Sequence, residues 1–187
     1  MGRTLVLALG AALALATPAV GAGTGTSLVI VTSGPRAQHR IGGYLVARDP
    51  GRSYPAAVKA FGLPSARAPG GAGSCTVRWQ GLGLAMTFSS SEPAPCASSR
   101  LGRSVWFGAT ASGVRWRTDR GLAVGDSLAR LRRLYPQAYL RARPSPAAWI
   151  LVWIRGEVGP TVYLQATLRS GRVTALELPP GYVSVAH

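Results

Sequence analysis

Acid–base or nucleophilic chemistry needs titratable groups placed against one another, and this chain has few to place. Its carboxylates number six: Asp49, Glu92, Asp119, Asp126, Glu157 and Glu177. No two share a motif, whereas glycoside hydrolysis requires a positioned pair. Asp126 stands where a helix cap belongs, and Asp119 lies among Arg117 and Arg120, where an ion-pair role is simplest. The two histidines are His39, beside Arg40, and His187. The serines are not set in a Gly-x-Ser-x-Gly elbow. The cluster Gly70-Gly71-Ala72-Gly73 lacks the Lys-Ser/Thr of a phosphate loop. The sequence therefore predicts neither catalysis nor a metal or other cofactor. A small secreted enzyme of unrecognised type is kept as the last alternative.

Arginine carries the other recognisable chemistry. Lys and Arg together number 21 against 6 acidic residues, a net charge of +15, and every basic residue except Lys59 is arginine. Arg115, Arg117 and Arg120 surround Trp116, and Arg130, Arg132 and Arg133 ride on one helical segment. Guanidinium groups interleaved with an aromatic suit a polyanion, through phosphate contacts and stacking. The plainer reading is a solvated face written in GC-rich codons. The two cysteines, Cys75 and Cys96, are expected to form one disulfide in an oxidising compartment. Closing that loop stabilises the fold by ~3 kcal/mol in the chain-entropy model.

The elements that must position these groups are short. Residues 1–22 have the shape of a secretory signal: Arg3, an apolar run from Leu5 to Ala16, then Val20-Gly21-Ala22 at a cleavage site. The run is too short to span a bilayer, and no later stretch is long enough, so no transmembrane segment should follow signal removal. Residues 23–50 read as an extended segment with a β-branched run at Ser27–Val31 and a weak strand around Tyr44-Leu45-Val46. Pro55 to Phe61 reads as a short helix stopped by Gly62, and residues 66–74 as loop. Strands follow at Cys75–Trp79, Leu82–Phe88 and Ser104–Thr110. A second helix opens at Asp126 or Ser127, with Leu128, Leu131, Leu134 and Tyr135 on one face, and ends at Pro136. Strands then span Trp149–Ile154, Thr161–Leu168 and Arg172–Leu178, the last two joined at Ser170-Gly171.

A constant offset carries Tyr54, Ala57 and Phe61 onto Leu128, Leu131 and Tyr135, then Cys75, Val77 and Trp79 onto Trp149, Leu151 and Trp153. This suggests a duplicated unit. The expected fold is α+β: two tandem units, residues 51–112 and 113–187, each a short helical region followed by a three-stranded antiparallel sheet. The units share one curved sheet, with the helices on one face. Leu151 and Trp153 would join the second core, while Ile150, Val152 and Ile154 form an apolar opposite face. Arg78, Trp106, Tyr163, Gln165 and Arg169 complete the candidate binding set.

The segment Gly121-Leu122-Ala123-Val124-Gly125-Asp126-Ser127-Leu128-Ala129-Arg130-Leu131, followed by Tyr135-Pro136, resembles the opening helix of SmpA/BamE-type envelope modules. It is similar also to the tandem version of that module, the β-lactamase inhibitory protein-like family. Phe61-Gly62-Leu63-Pro64 fits the helix ending of that superfamily, and Tyr135-Pro136 departs from it by lacking the glycine. The resemblance implies two modules side by side that bind partner proteins or envelope components through exposed sheet and loop residues. The sequence thus points to an exported, non-catalytic binding or cell-envelope protein whose partner is a protein or an anionic envelope component. The alternative is a polyanion-binding protein using its arginine faces on an anionic polymer or lipid surface. Export makes intracellular nucleic acid an unexpected partner. N-terminal sequencing of exported material should find a chain that begins near Gly23; material still starting at Met1 would remove the secretory reading.

Overall fold

The structure, a computed structural model, describes residues 27–32, 39–46, 53–71, 73–91, 93–141, 147–156 and 159–179. The signal-like residues 1–22 lie outside these, as do Asp49, Glu92, Glu157, His187 and the side chain of Ile154.

Strand dominates. Leu28–Val31 (β1) pairs antiparallel with Arg40–Ile41 (β2), and β2 with Tyr44–Leu45 (β3). The other side of β1 runs parallel to Trp116–Thr118 (β8), with Leu28 opposite Trp116 and Ile30 opposite Thr118. The remaining strands are Ala66–Pro69 (β4), Ser74–Trp79 (β5), Leu84–Ser89 (β6), Val105–Ala111 (β7), Tyr139–Leu140 (β9), Ala147–Gly156 (β10), Gly159–Arg169 (β11) and Arg172–Leu178 (β12). They form a second sheet in the order β4-β5-β6-β7-β12-β11-β10-β9, antiparallel at every pairing. Three short α-helices, Ser53–Phe61 (α1), Ser98–Leu101 (α2) and Leu128–Leu134 (α3), and a 3₁₀ turn at Gln80–Leu82 complete the described elements.

This arrangement corrects the expected fold. The protein is mostly β with two sheets, of four and eight strands, and is not a pair of helix-plus-three-strand units sharing one sheet. Two departures explain the change. The β-branched N-terminal run does not border the large sheet; it pairs with β8 and draws residues 116–118 into a sheet of their own. Residues 66–69, read as loop, form an edge strand, a position that tolerates Pro69 because no ladder bond is lost on the open side.

The interior lies between the two sheets. Inward residues alternate along the large sheet: Cys75, Val77 and Trp79 on β5, Leu84, Met86 and Phe88 on β6, and Leu164, Ala166 and Leu168 on β11 are all buried. Ile30, Ile41, Tyr44 and Trp116 of the small sheet, Tyr54 and Ala57 of α1 and Leu131 of α3 join them in one cluster. Pro55 occupies the first turn of α1, where its missing N–H is harmless. Arg67 fastens that helix, donating to Tyr54 Oη at 2.7 Å and to Ser98 Oγ at 2.8 Å. Ser127, not Asp126, caps α3 by accepting from the Arg130 N–H at 3.3 Å. Asp126 instead accepts from the Ala123 N–H at 2.8 Å. Cys75 and Cys96 are joined, with Cα atoms 5.1 Å apart, tying β5 to the segment before α2. No helix among the described residues is long and apolar enough to cross a membrane.

Matched positions of the offset do not share one environment. Trp79 is buried, but Trp153 is 39% exposed and packs edge-on to Tyr139 at 6.0 Å, so it is not in the core as expected. The cause is a pair of irregularities: Ile150 faces Gln165, Val152 faces Leu164 and Trp153 faces Val162, leaving Leu151 and Tyr163 as extra residues. A bulge reverses which side chains point inward beyond it.

Two predictions follow from this packing. Leu131 is fully buried in the shared cluster, so Leu131→Ala should lower the unfolding free energy by about 2–5 kcal/mol in denaturant titration. Tyr44 and Tyr135 are also fully buried, and among the described residues neither hydroxyl has a partner at hydrogen-bond geometry. Burial pushes both phenols up from 10.0 to about 12, outweighing the nearby Ser53 for Tyr44 and Thr118 for Tyr135. The folded chain then retains protons that the unfolded chain releases, so this stability is whole below pH 10 and is lost as pH rises to about 12. Denaturant midpoints should fall across that window, and Tyr135→Phe should make the fall shallower.

Candidate functional site

The eight-stranded sheet has its apolar side chains on the face towards the helices and small sheet. Its other face carries the alternate residues, and there the chain builds a groove of about 590 Å³. One row crosses it through backbone pairing: Arg78 opposite Ala85, Ala85 opposite Thr110, Thr110 opposite Glu177, and Glu177 opposite Gln165. Thr76 and Thr87 form the neighbouring pair, their hydroxyl oxygens 3.5 Å apart. The groove exists because Ala85 and Gly108 leave the middle of this face low, while Arg78, Phe107, Gln165 and Glu177 stand around it.

Phe107 reaches this face through a bulge. Thr87 pairs with Gly108 and Phe88 with Trp106, so Phe107 is the extra residue of β7. Trp106 turns into the core and Phe107 turns out, 46% exposed. Glu177 is held in place: the Gln165 amide donates to one carboxylate oxygen at 2.6 Å, and the Thr167 hydroxyl donates to the other. Neither partner is a second carboxylate. The groove therefore presents a fixed anion, a cation, hydroxyls and an exposed aromatic ring. These are groups that bind and orient a polar ligand.

The sequence-derived candidates disperse. Arg78 and Gln165 line the groove. Trp106 and Ile150 are buried, and Val152 packs against the main core. Tyr163 is half-buried, its ring edge-on to His39 at 5.2 Å. Arg169 is exposed at the β11–β12 hairpin. Trp116 is not the aromatic of an arginine grip: it is fully buried, and its indole N–H donates to the Leu82 carbonyl at 2.7 Å. Arg117 on β8 and Arg115 just before it are exposed, whereas Arg120 lies over the Tyr135 ring at 5.1 Å. On α3, Arg130 pairs with Asp126 at 2.9 Å, Arg132 lies over the Trp149 ring at 5.1 Å, and Arg133 is exposed.

Thr76, Thr87, Phe107, Thr110 and Glu177 were not singled out from the sequence. The outward series Thr76–Arg78 and Ala85–Thr87 was legible as strand alternation. The bulge that exchanges Trp106 for Phe107 was not. The other described carboxylates do not converge on Glu177: Asp119 accepts from the Thr32 N–H at 3.2 Å, and Asp126 is committed to Ala123 and Arg130. Among the described residues no three His, Cys, Asp or Glu side chains are grouped to hold a metal ion.

No family model matches the chain, and no curated protein matches it. Among solved structures, an extracellular protein containing a SCP domain from Bacillus anthracis str. Ames is similar over 66% of this chain and 41% of its own, at 12% identity and a TM-score of 0.39. This chain thus spans about two fifths of that protein's length, and so shallow a likeness carries no argument about fold or function.

Proposed function

We propose that this chain is an exported, non-catalytic binding protein and that its ligand seats in the groove on the open face of the large sheet. The observation that carries the reading is the set of groups around that groove. Arg78 and an immobilised Glu177 stand around a floor of Ala85 and Gly108 edged by threonine hydroxyls, with the Phe107 ring beside them. Fixed polar groups around a concave surface confer orientation and specificity, and an exposed ring adds contact area at low entropic cost. The disulfide between Cys75 and Cys96 is compatible with an oxidising, extracytoplasmic setting, and the signal-like N-terminus supports the same placement.

A second reading, polyanion binding, is favoured by one feature of the small sheet. Ile30, Ile41, Tyr44 and Trp116 point inward. Arg40 and Arg117, with Arg115 next in line, therefore stand on the outer side, on strands flanking β1. Binding there would fall steeply with salt as counterions are released.

Arg78 and Phe107 are both exposed, so the Arg78→Ala/Phe107→Ala double variant should keep its circular dichroism and melting temperature. Immobilised on a resin and challenged with solubilised envelope and spent medium of the producing cell, it should retain at least roughly tenfold less of what the wild type captures, since losing one charged hydrogen bond alone costs about that. Undiminished capture by the folded double variant would overturn the groove reading. Capture lost instead in Arg40→Gln/Arg117→Gln, with a steep salt dependence, would establish the second.

A further inference from the structure

The two most exposed large hydrophobic side chains of the described chain stand at one end of the molecule. Leu63 is 84% exposed and Val114 is 81% exposed. They are distant in sequence, but the same turn holds both. Residues 80–82 make a single 3₁₀ turn between β5 and β6. On one side of it, the Trp79 indole donates to the Gly62 carbonyl at 2.9 Å, and the Gln80 N–H donates to Ser65 Oγ at 2.9 Å, fixing the loop that carries Leu63. On the other side, the Ser112 N–H donates to the Gly83 carbonyl at 2.8 Å and the Trp116 indole to the Leu82 carbonyl at 2.7 Å, fixing the loop that carries Val114. Gly83, at φ +58°, and Gly113 make this approach possible: a Cβ on Gly83 would lie 2.4 Å from the Gly113 nitrogen.

The end is also cationic. Lys59 lies in the last turn of α1, just before Gly62 and Leu63, and Arg115 follows Val114. The three described carboxylates are engaged elsewhere, by Thr32, by Ala123 with Arg130, and by Gln165 with Thr167. Beside the turn opens a recess of about 290 Å³, with Gln80 and Ser112 among its walls.

We infer that this end docks on an anionic phospholipid bilayer, Leu63 and Val114 entering the acyl boundary while Lys59 and Arg115 meet the headgroup phosphates. Projecting aliphatic side chains held on braced loops find no complement in themselves. A protein partner would have to supply two matched pockets, whereas a fluid acyl phase accepts any such shape. Cations beside them add electrostatic attraction to anionic lipid, the combination that governs interfacial binding. This inference does not depend on the groove reading, because none of these four side chains lines the groove.

The test uses the purified full-length chain and unilamellar vesicles, either phosphatidylglycerol mixed with phosphatidylcholine or phosphatidylcholine alone. Residues 1–22 are common to every variant, so differences between variants report the tip. The wild type should partition onto the anionic vesicles. Brominated acyl chains should quench its tryptophan fluorescence, because Trp79 and Trp116 lie under the tip. Leu63→Ser/Val114→Ser replaces exposed side chains, so it should melt as the wild type does, bind at least about tenfold more weakly and lose most of the quenching. Lys59→Gln/Arg115→Gln should weaken binding roughly fivefold per cation removed and flatten its salt dependence. Equal partition and quenching for the wild type and the serine variant would overturn the inference. So would equal wild-type binding to the two vesicle types.

Discussion

One indole organises this protein. Trp116 belongs to the small sheet, is fully buried, and spends its only polar atom on the carbonyl of Leu82, in the turn between β5 and β6 of the large sheet. A buried N–H without a partner is costly, so this bond fixes how closely the sheets approach and where they touch. Phe61 packs against the same ring at 6.4 Å and against Trp79 at 5.6 Å, which ties α1 to both sheets. Gly42 sits against this pair; a Cβ there would lie 3.3 Å from the Phe61 ring and 3.7 Å from Trp116. The parallel pairing of β1 with β8 holds Trp116 in place from the other side. Core, small sheet and braced tip are therefore consequences of one packing centre.

The local elements were readable because each has its own signal. The helix that stops at Gly62, the strand at 75–79, a strand read at 82–88 and observed at 84–89, the hairpin at Ser170-Gly171 and the disulfide pairing all follow from alternation, turn residues and cysteine count. Assembly was not readable in the same way. Nothing local in Ser27-Leu28-Val29-Ile30-Val31 says whether it borders a large sheet or recruits a distant strand. The answer lies in a parallel pairing with residues 116–118, a contact of long sequence separation. The offset between the two halves suggested symmetry, and Leu131, Tyr135 and Leu151 are buried as it implied. It could not foresee the extra residues at 151 and 163 that send Trp153 to the surface.

The same limit governed the groove. Arg78 and Gln165 were named from their strands, and the structure places both on its walls. Trp106 was named and is buried, because a bulge at residue 107 shifts the parity of β7 by one. In the sequence Glu177 is a carboxylate with no second carboxylate in its motif. Its role depends on Gln165 and Thr167 across the β11–β12 pairing, which no spacing in the sequence displays. Bulges write side-chain direction into backbone geometry, and a pattern of period two cannot record them.

The arginine excess separates into two populations once the fold is known. Arg67 holds α1 and α2, Arg130 pairs with Asp126, and Arg120 and Arg132 cover the faces of Tyr135 and Trp149. These guanidinium groups are spent on the fold, as planar donors that stack as readily as they bond. Arg40, Arg115 and Arg117 stand exposed on the outer side of the small sheet, and Arg78 stands at the groove. A codon bias would account for arginine standing where lysine would serve. It does not account for where the exposed ones stand: on the outer side of the small sheet, at the groove, beside the tip, on α3 at Arg133 and at the β11–β12 hairpin at Arg169. Charge left free on those surfaces attracts anions without stabilising the fold, and so belongs to the protein's encounters with other molecules.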